Sequence, residues 1–193
     1  MPHWIVFDYG EVLCTRTTAI PELAAAMGVS AAAFEPAYWE LRDAYDRGST
    51  DLAYWTSIGE RLGVEVDETK SAELTELDVA GWTHLVPSSV ELLESLAEAG
   101  AALALLSNAS VSFGAWVRTQ EWAKLFRHLI FSGDVRCAKP DAEIYHLLLD
   151  QLGAEPADCL FFDDRESNVE GARAVGIRAH VWDGTEAARA ALG

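Results

Sequence analysis

The sequence predicts an α/β fold: a parallel sheet with helices on both faces, interrupted early by a small all-helical subdomain. Three observations carry this expectation. Short, mainly apolar runs recur along the chain and each ends abruptly in a polar residue, as His3–Phe7 does before Asp8. Amphipathic helical stretches alternate with those runs across short connections, which favours right-handed parallel crossovers. Residues 15 to 85 break the rhythm and hold helical patterns alone. With 193 residues, half of them hydrophobic, the chain can bury one real core. The expected architecture is therefore Rossmann-like, α/β class, with an inserted helical cap.

The elements follow in order. His3–Phe7 is short, apolar and partly β-branched, the pattern of a strand buried on both faces. The insertion reads as helices over Ile20–Met27, Ser30–Asp46, Asp51–Leu62 and Asp67–Val79, punctuated by Gly28, Gly48 and Gly63. Its exits fall near Thr15–Thr18 and Trp82–Pro87, which assigns 1–14 and 86–193 to the core and 15–85 to the cap. Ser88–Ala99 opens on a serine cap and closes at Gly100. Ala102–Leu106 is the second strand, before Ser107 and Asn108, and Val111–Phe126 the helix after it. Leu129–Phe131 is a third strand, and Asp141–Leu152 a helix closing at Gly153. Cys159–Phe162 ends at Asp163 and Asp164, Glu166–Val175 is the following helix, and Ile177–Trp182 the last strand.

Composition excludes several function classes. Fourteen basic residues against 31 acidic ones give a net charge of −17. Such a surface repels nucleic-acid backbones and anionic lipid, so no nucleic-acid or membrane partner is expected. Cys14, Cys137 and Cys159 are far apart and odd in number, the pattern of free thiols in a reducing compartment. The start MPHWIVFD has no basic, cleavable leader, and the longest apolar run, Ala101–Leu106, is too short to span a bilayer. A cytoplasmic location is the expectation.

The chemistry sits at the strand ends. In doubly wound sheets ligands bind at the carboxyl edge, and here that edge carries Asp8, Ser107, Asp163 and Asp164. Carboxylates converging in a cleft repel one another, and a hard divalent cation such as Mg²⁺ relieves that. Lys139, just before Pro140, supplies a counter-charge. Metal and lysine would neutralise a phosphate monoester while one carboxylate attacks phosphorus.

Four ordered motifs carry a family resemblance across nearly the whole chain: Phe7-Asp8-Tyr9-Gly10-Glu11-Val12, Leu106-Ser107-Asn108, Lys139-Pro140 with Tyr145, and Phe162-Asp163-Asp164 with Asn168. The sequence resembles the haloacid dehalogenase superfamily, in its phosphatase branch with a helical cap after the first strand. The resemblance implies Asp8 as a nucleophile forming an aspartyl-phosphate. Ser107 and the Asn108 backbone N–H would hold the phosphoryl group, and Lys139 would balance charge. Asp8, Asp164 and the Gly10 carbonyl would bind Mg²⁺, with Asp163 ligating directly or through water and Asn168 orienting the water shell.

One position departs from the pattern: Gly10 stands where an acid/base aspartate is usual, a role worth roughly 10²–10⁴-fold in rate. Glu11, a substrate hydroxyl or bulk water is expected to cover part of it. In the cap, Trp39, Arg42 and Tyr45 are candidate substrate contacts, although aromatics at helical spacing are more often core. Arg42 and Arg47 either meet an anionic substrate or pair with neighbouring acids. The leading expectation is a Mg²⁺-dependent phosphatase of a small phosphorylated metabolite, in the sugar-phosphate class, as a monomer or homodimer. The alternatives are a 2-haloacid dehalogenase using the same Asp8, or a binding protein weakened by Gly10.

Overall fold

A computed structural model describes residues 3–193; Met1 and Pro2 of the expected core segment lie outside the described residues. Five parallel strands form one sheet: β1 (Trp4–Phe7), β2 (Ala102–Ser107), β3 (His128–Phe131), β4 (Cys159–Asp163) and β5 (Arg178–Val181), in spatial order β3-β2-β1-β4-β5. The order reverses beside β1, so the crevice at its carboxyl end is the place where two crossovers diverge.

Side chains alternate across the sheet and fill two separate layers. Ile5 and Phe7 of β1, Leu103 and Leu105 of β2 and Phe162 of β4 pack under α5 (Pro87–Glu98), α6 (Val111–Val117) and α10 (Gly184–Leu192). Val6, Ala104, Leu106 and Phe161 pack on the other face under α8 (Ala142–Leu152) and α9 (Glu166–Ala174). A third cluster belongs to the insertion. Leu23 of α1 (Ile20–Ala26), Phe34 and Tyr38 of α2 (Ala31–Asp46), Trp55 and Ile58 of α3 (Asp51–Leu62) and Leu74 of α4 (Glu68–Gly81) are buried against one another. Ser30, Thr50 and Asp67 cap α2, α3 and α4 by accepting from Ala33, Ala53 and Lys70 N–H.

Two linkers join this bundle to the sheet and run side by side. Thr15 N–H donates to His84 O at 2.9 Å, and Val86 N–H to Leu13 O at 2.8 Å. Gly81 permits the crossing, because a Cβ there would lie 2.4 Å from Ala19 Cβ and 2.5 Å from Thr17 Oγ1. Elsewhere Val79 of α4 packs against the core, and polar contacts add to it: Arg47 to Asp141 at 2.6 Å, Asp51 accepting from Ser112 at 2.6 Å, and Tyr9 donating to Trp82 O at 2.6 Å.

Three elements differ from expectation. The helix expected over Val111–Phe126 stops at Val117, and a separate 3₁₀ turn covers Trp122–Leu125. The Trp116 carbonyl accepts from Thr119 N–H at 2.9 Å and Thr119 Oγ1 at 2.7 Å, a tight i→i−3 close that local side chains favour over another helical turn. One helical turn, α7 (Ser132–Val135), follows β3, and α10 follows the last strand. All three cysteines are free and buried. Among the described residues no helix is long and apolar enough to cross a membrane.

Candidate active site

β1 runs out at Phe7, yet the Asp8 N–H extends the ladder by donating to Phe162 O at 2.9 Å. The register pairs Phe7 with Phe162, so Asp8 and Asp163 stand level on adjacent strands. Lys139 comes between them from the loop before α8. Its ammonium lies 2.8 Å from Asp8 Oδ1 and donates to Asp163 Oδ2 at 2.6 Å and to Leu106 O at 2.8 Å. An ammonium has three donors, so each is used, the condition under which a buried lysine keeps its charge. Burial works against that charge, but Asp8 and Asp163 outweigh it and raise the Lys139 pKa above its ordinary value.

Neighbouring side chains hold this pair in place. Asn108 grips the lysine's backbone from both sides: its Nδ2 donates to Lys139 O at 2.8 Å and its Oδ1 accepts from Lys139 N–H at 2.9 Å. The Asn108 side chain is thus occupied, and Ser107 at the end of β2 lines the cavity beside it. Asp163 Oδ1 accepts from Arg165 N–H and from Asn168 Nδ2, both at 2.9 Å. With Oδ2 on Lys139, a direct bond from Asp163 to a metal would compete with that lysine, which favours the water-mediated of its two expected modes.

A hard cation fits the oxygens that remain. Carboxylate oxygens of Asp8, Asp163 and Asp164 lie within 4.8 Å of one another. Burial, with Asp163 and Asp164 nearby and Lys139 opposing, pushes the Asp8 carboxyl up to about 7. Burial, with Asp163 and Glu11, pushes Asp164 up to about 6. Buried carboxylates strained in this way gain from a divalent ion with oxygen ligands. Asn168 Oδ1 is a buried acceptor without a partner among the described residues. Because its Nδ2 faces Asp163, that oxygen is free to take a donor such as an ion's water.

Above the sheet edge a cavity of about 610 Å³ separates core from cap. Asp8, Gly10, Ser107, Lys139 and Asp164 line its floor, and Trp39, Arg42, Asp46 and Trp82 are among its cap-side residues. Gly10 is not forced by packing: a Cβ there would meet only Trp82 Cζ3, at 3.8 Å. Glu11 is exposed on the wall, with its backbone at φ 55°.

The cap candidates separate. Trp39 lies on the wall. Arg42 also borders the cavity but is 9% exposed and engaged inward: Nε to Asp46 at 2.9 Å, Nη1 to Tyr38 Oη at 2.6 Å and to Asp78 at 3.0 Å. Tyr45 corrects the expectation, being fully buried, stacked on Tyr54 at 4.1 Å and donating to Asp51. Three residues on a helix advance 300°, so two such steps carry Tyr45 about 120° round from Trp39. Arg16, Trp82 and Arg165, which sequence reasoning passed over, also line the cavity. The available signal was position: Arg16 and Trp82 lie in the two expected exits, and Arg165 directly follows Asp164.

Comparison with known proteins adds the family. Residues 3–176 match a hydrolase family described as haloacid dehalogenase-like hydrolase. The chain is 30% identical over 145 residues to Phosphatase MT3486 of Mycobacterium tuberculosis, covering 74% of this chain and 66% of the relative, just under two thirds of its length. A HAD family enzyme of Bacteroides thetaiotaomicron, solved as a magnesium complex, superposes with a TM-score of 0.73 at 23% identity, covering 96% of this chain and 97% of the other. The L-2-haloacid dehalogenase of Xanthobacter autotrophicus, with chloropropionic acid covalently bound, gives 0.73 at 22% identity, covering 98% of this chain and 81% of the other. With the lysine-bridged aspartates at the sheet edge and the family match over most of its length, the chain belongs to the haloacid dehalogenase-like hydrolases.

Proposed function

We propose that this protein is a Mg²⁺-dependent phosphatase of a small phosphate monoester, in the sugar-phosphate class, working through an aspartyl-phosphate on Asp8. The observation that carries the reading is Lys139. It pins Asp8 Oδ1 at 2.8 Å and leaves Oδ2 as the oxygen free to attack. The similarity to a named phosphatase supports the same class.

Asp8 Oδ2 attacks phosphorus, a carboxylate–phosphorus bond forms, the bond from phosphorus to the alcohol oxygen breaks, and the departing oxygen takes its proton from water. Ser107 and the backbone N–H of Asn108 hold the phosphoryl oxygens, while Lys139 balances the aspartate. Water then attacks the acyl phosphate, releasing inorganic phosphate and restoring Asp8. Glu11, exposed on the wall and outside every ion pair among the described residues, is a carboxylate placed to take the water's proton in the absence of an aspartate at Gly10. Asp8, Asp164 and the Gly10 carbonyl would hold the Mg²⁺, which when bound supplies positive charge against the phosphoryl oxygens.

Dehalogenation would use the same Asp8, and the likeness to a dehalogenase structure is one of fold. That chemistry needs no metal, and the Asp163-Asp164 pair argues for one. The test is phosphate release from a panel of small monoesters in Mg²⁺, run beside EDTA and Asp8→Asn controls. Turnover falling at least a thousandfold in Asp8→Asn is expected, together with loss in EDTA. Chloride release from 2-chloropropionate, with no phosphate from the panel, would overturn the reading.

A further inference from the structure

The two arginines that α2 and its C-terminal cap offer to an anionic substrate are both committed elsewhere. Arg42 is engaged by Asp46, Asp78 and Tyr38, and Arg47 by Asp43 at 3.0 Å and Asp141 at 2.6 Å. Lys139 spends its three donors on the catalytic edge. The cation left over on the cap side of the cavity is Arg16, exposed, in the first linker. Among the described residues it enters no ion pair and no hydrogen bond, in a chain whose 31 acidic side chains outnumber 14 basic ones.

Arg16 is nevertheless held in place. Its guanidinium lies 4.6 Å from the centroid of the Trp39 ring. Trp39 in turn stands edge-on to Tyr38 (4.8 Å, 90°) and to Trp82 (6.3 Å, 87°), which ties it to the cap and to the second linker. Stacking engages the face of a guanidinium and leaves its N–H donors free at the rim, where they match the fork of a carboxylate or phosphate. The reacting phosphate belongs at Asp8 on the floor, so the alcohol part of the substrate points toward this wall.

We propose that Arg16, stacked on Trp39, recognises a second anionic group on the alcohol part of the substrate. The substrate class becomes phosphate monoesters that also carry a carboxylate or a second phosphate. This rests on the phosphatase reading above and narrows it. Arg16 is a specificity residue; it takes no part in the bond exchange, and its loss falls on binding.

The test uses matched substrates in Mg²⁺: glycerol phosphate against phosphoglycerate, glucose phosphate against phosphogluconate, and fructose phosphate against fructose bisphosphate. The native enzyme is expected to show the higher kcat/KM on the doubly anionic member of at least one pair. In Arg16→Gln that ratio falls about tenfold, with the loss in KM and not in kcat. Arg16→Lys restores it only in part, since an ammonium lacks the planar fork. The exposed linker position keeps these variants folded, and Arg165→Gln serves as the comparison on the core side. Equal kcat/KM within every pair, a ratio unmoved in Arg16→Gln, or a ratio lost in Arg165→Gln alone would each overturn this inference and leave the phosphatase reading standing. No phosphate from any substrate would overturn both.

Discussion

Lys139 carries a heavy electrostatic duty for a single side chain. It is 3% exposed and bridges two carboxylates that are themselves nearly or fully buried. Lys139→Met removes the cation and leaves Asp8 and Asp163 facing each other without compensation. Breaking a buried pair in this way costs about 3–5 kcal/mol, which urea denaturation in EDTA would register as a lower midpoint with an unchanged slope. Residues at this edge were legible in the sequence because each closes or directly follows a strand or precedes a proline: Asp8, Ser107, Lys139, Asp163 and Asp164. Arg16, Trp82 and Arg165 were not, because a linker or loop carries no periodicity and its path is decided by packing elsewhere. Tyr45 shows the complementary difficulty, since near-helical spacing brought it into the same group as Trp39 although rotation about α2 turns it into the cap core.

At the scale of elements, the alternation of apolar runs and amphipathic stretches identified all five strands and the four cap helices, with ends displaced by a residue or two. The helix α10 escaped because Leu192 is its one large apolar side chain and Ala188 its one buried residue. Its alanine content was the signal, through propensity and not through pattern. The break after Val117 escaped for the opposite reason: the apolar spacing continues through Trp122 and Phe126 while local hydrogen bonds end the helix. The junction of α4 with the linkers is where an element meets its tightest constraint. Gly81→Ala would place a methyl 2.4 Å from Ala19 Cβ. Backbone must shift there, at about 1–3 kcal/mol for overpacking. A lower melting temperature and a higher KM together are the expected result, because the same linkers carry Arg16 and Trp82; an unchanged melting temperature would contradict the close approach.

Over the whole molecule the charge is strongly negative, while the cavity matches Arg16, Arg42, Arg47, Lys139 and Arg165 against Asp8, Glu11, Asp43, Asp46 and Asp164. That balance depends on pH without metal. The Asp8 carboxyl is raised from 3.8 to about 7 and Asp164 from 3.8 to about 6. A raised folded-state pKa contributes stability that is present below the unfolded value and lost as pH rises through the folded one. The melting temperature in EDTA should therefore fall between about pH 4 and pH 7, and added Mg²⁺ should recover most at the upper end, where its ligands are already ionised. A melting temperature in EDTA that climbs through that range would contradict the strain between these carboxylates.

The paired linkers have a further consequence, for how such a protein changes over generations. Residues 14 and 86 are neighbours whatever lies between them, since Val86 is hydrogen-bonded to Leu13 and Cys14 bridges to Leu85. Insertions and substitutions in the helical bundle therefore leave the spacing of Asp8, Lys139 and Asp164 undisturbed. Selection can retune what lines the cap side of the cavity while the lysine-bridged carboxylates at the sheet edge are inherited intact.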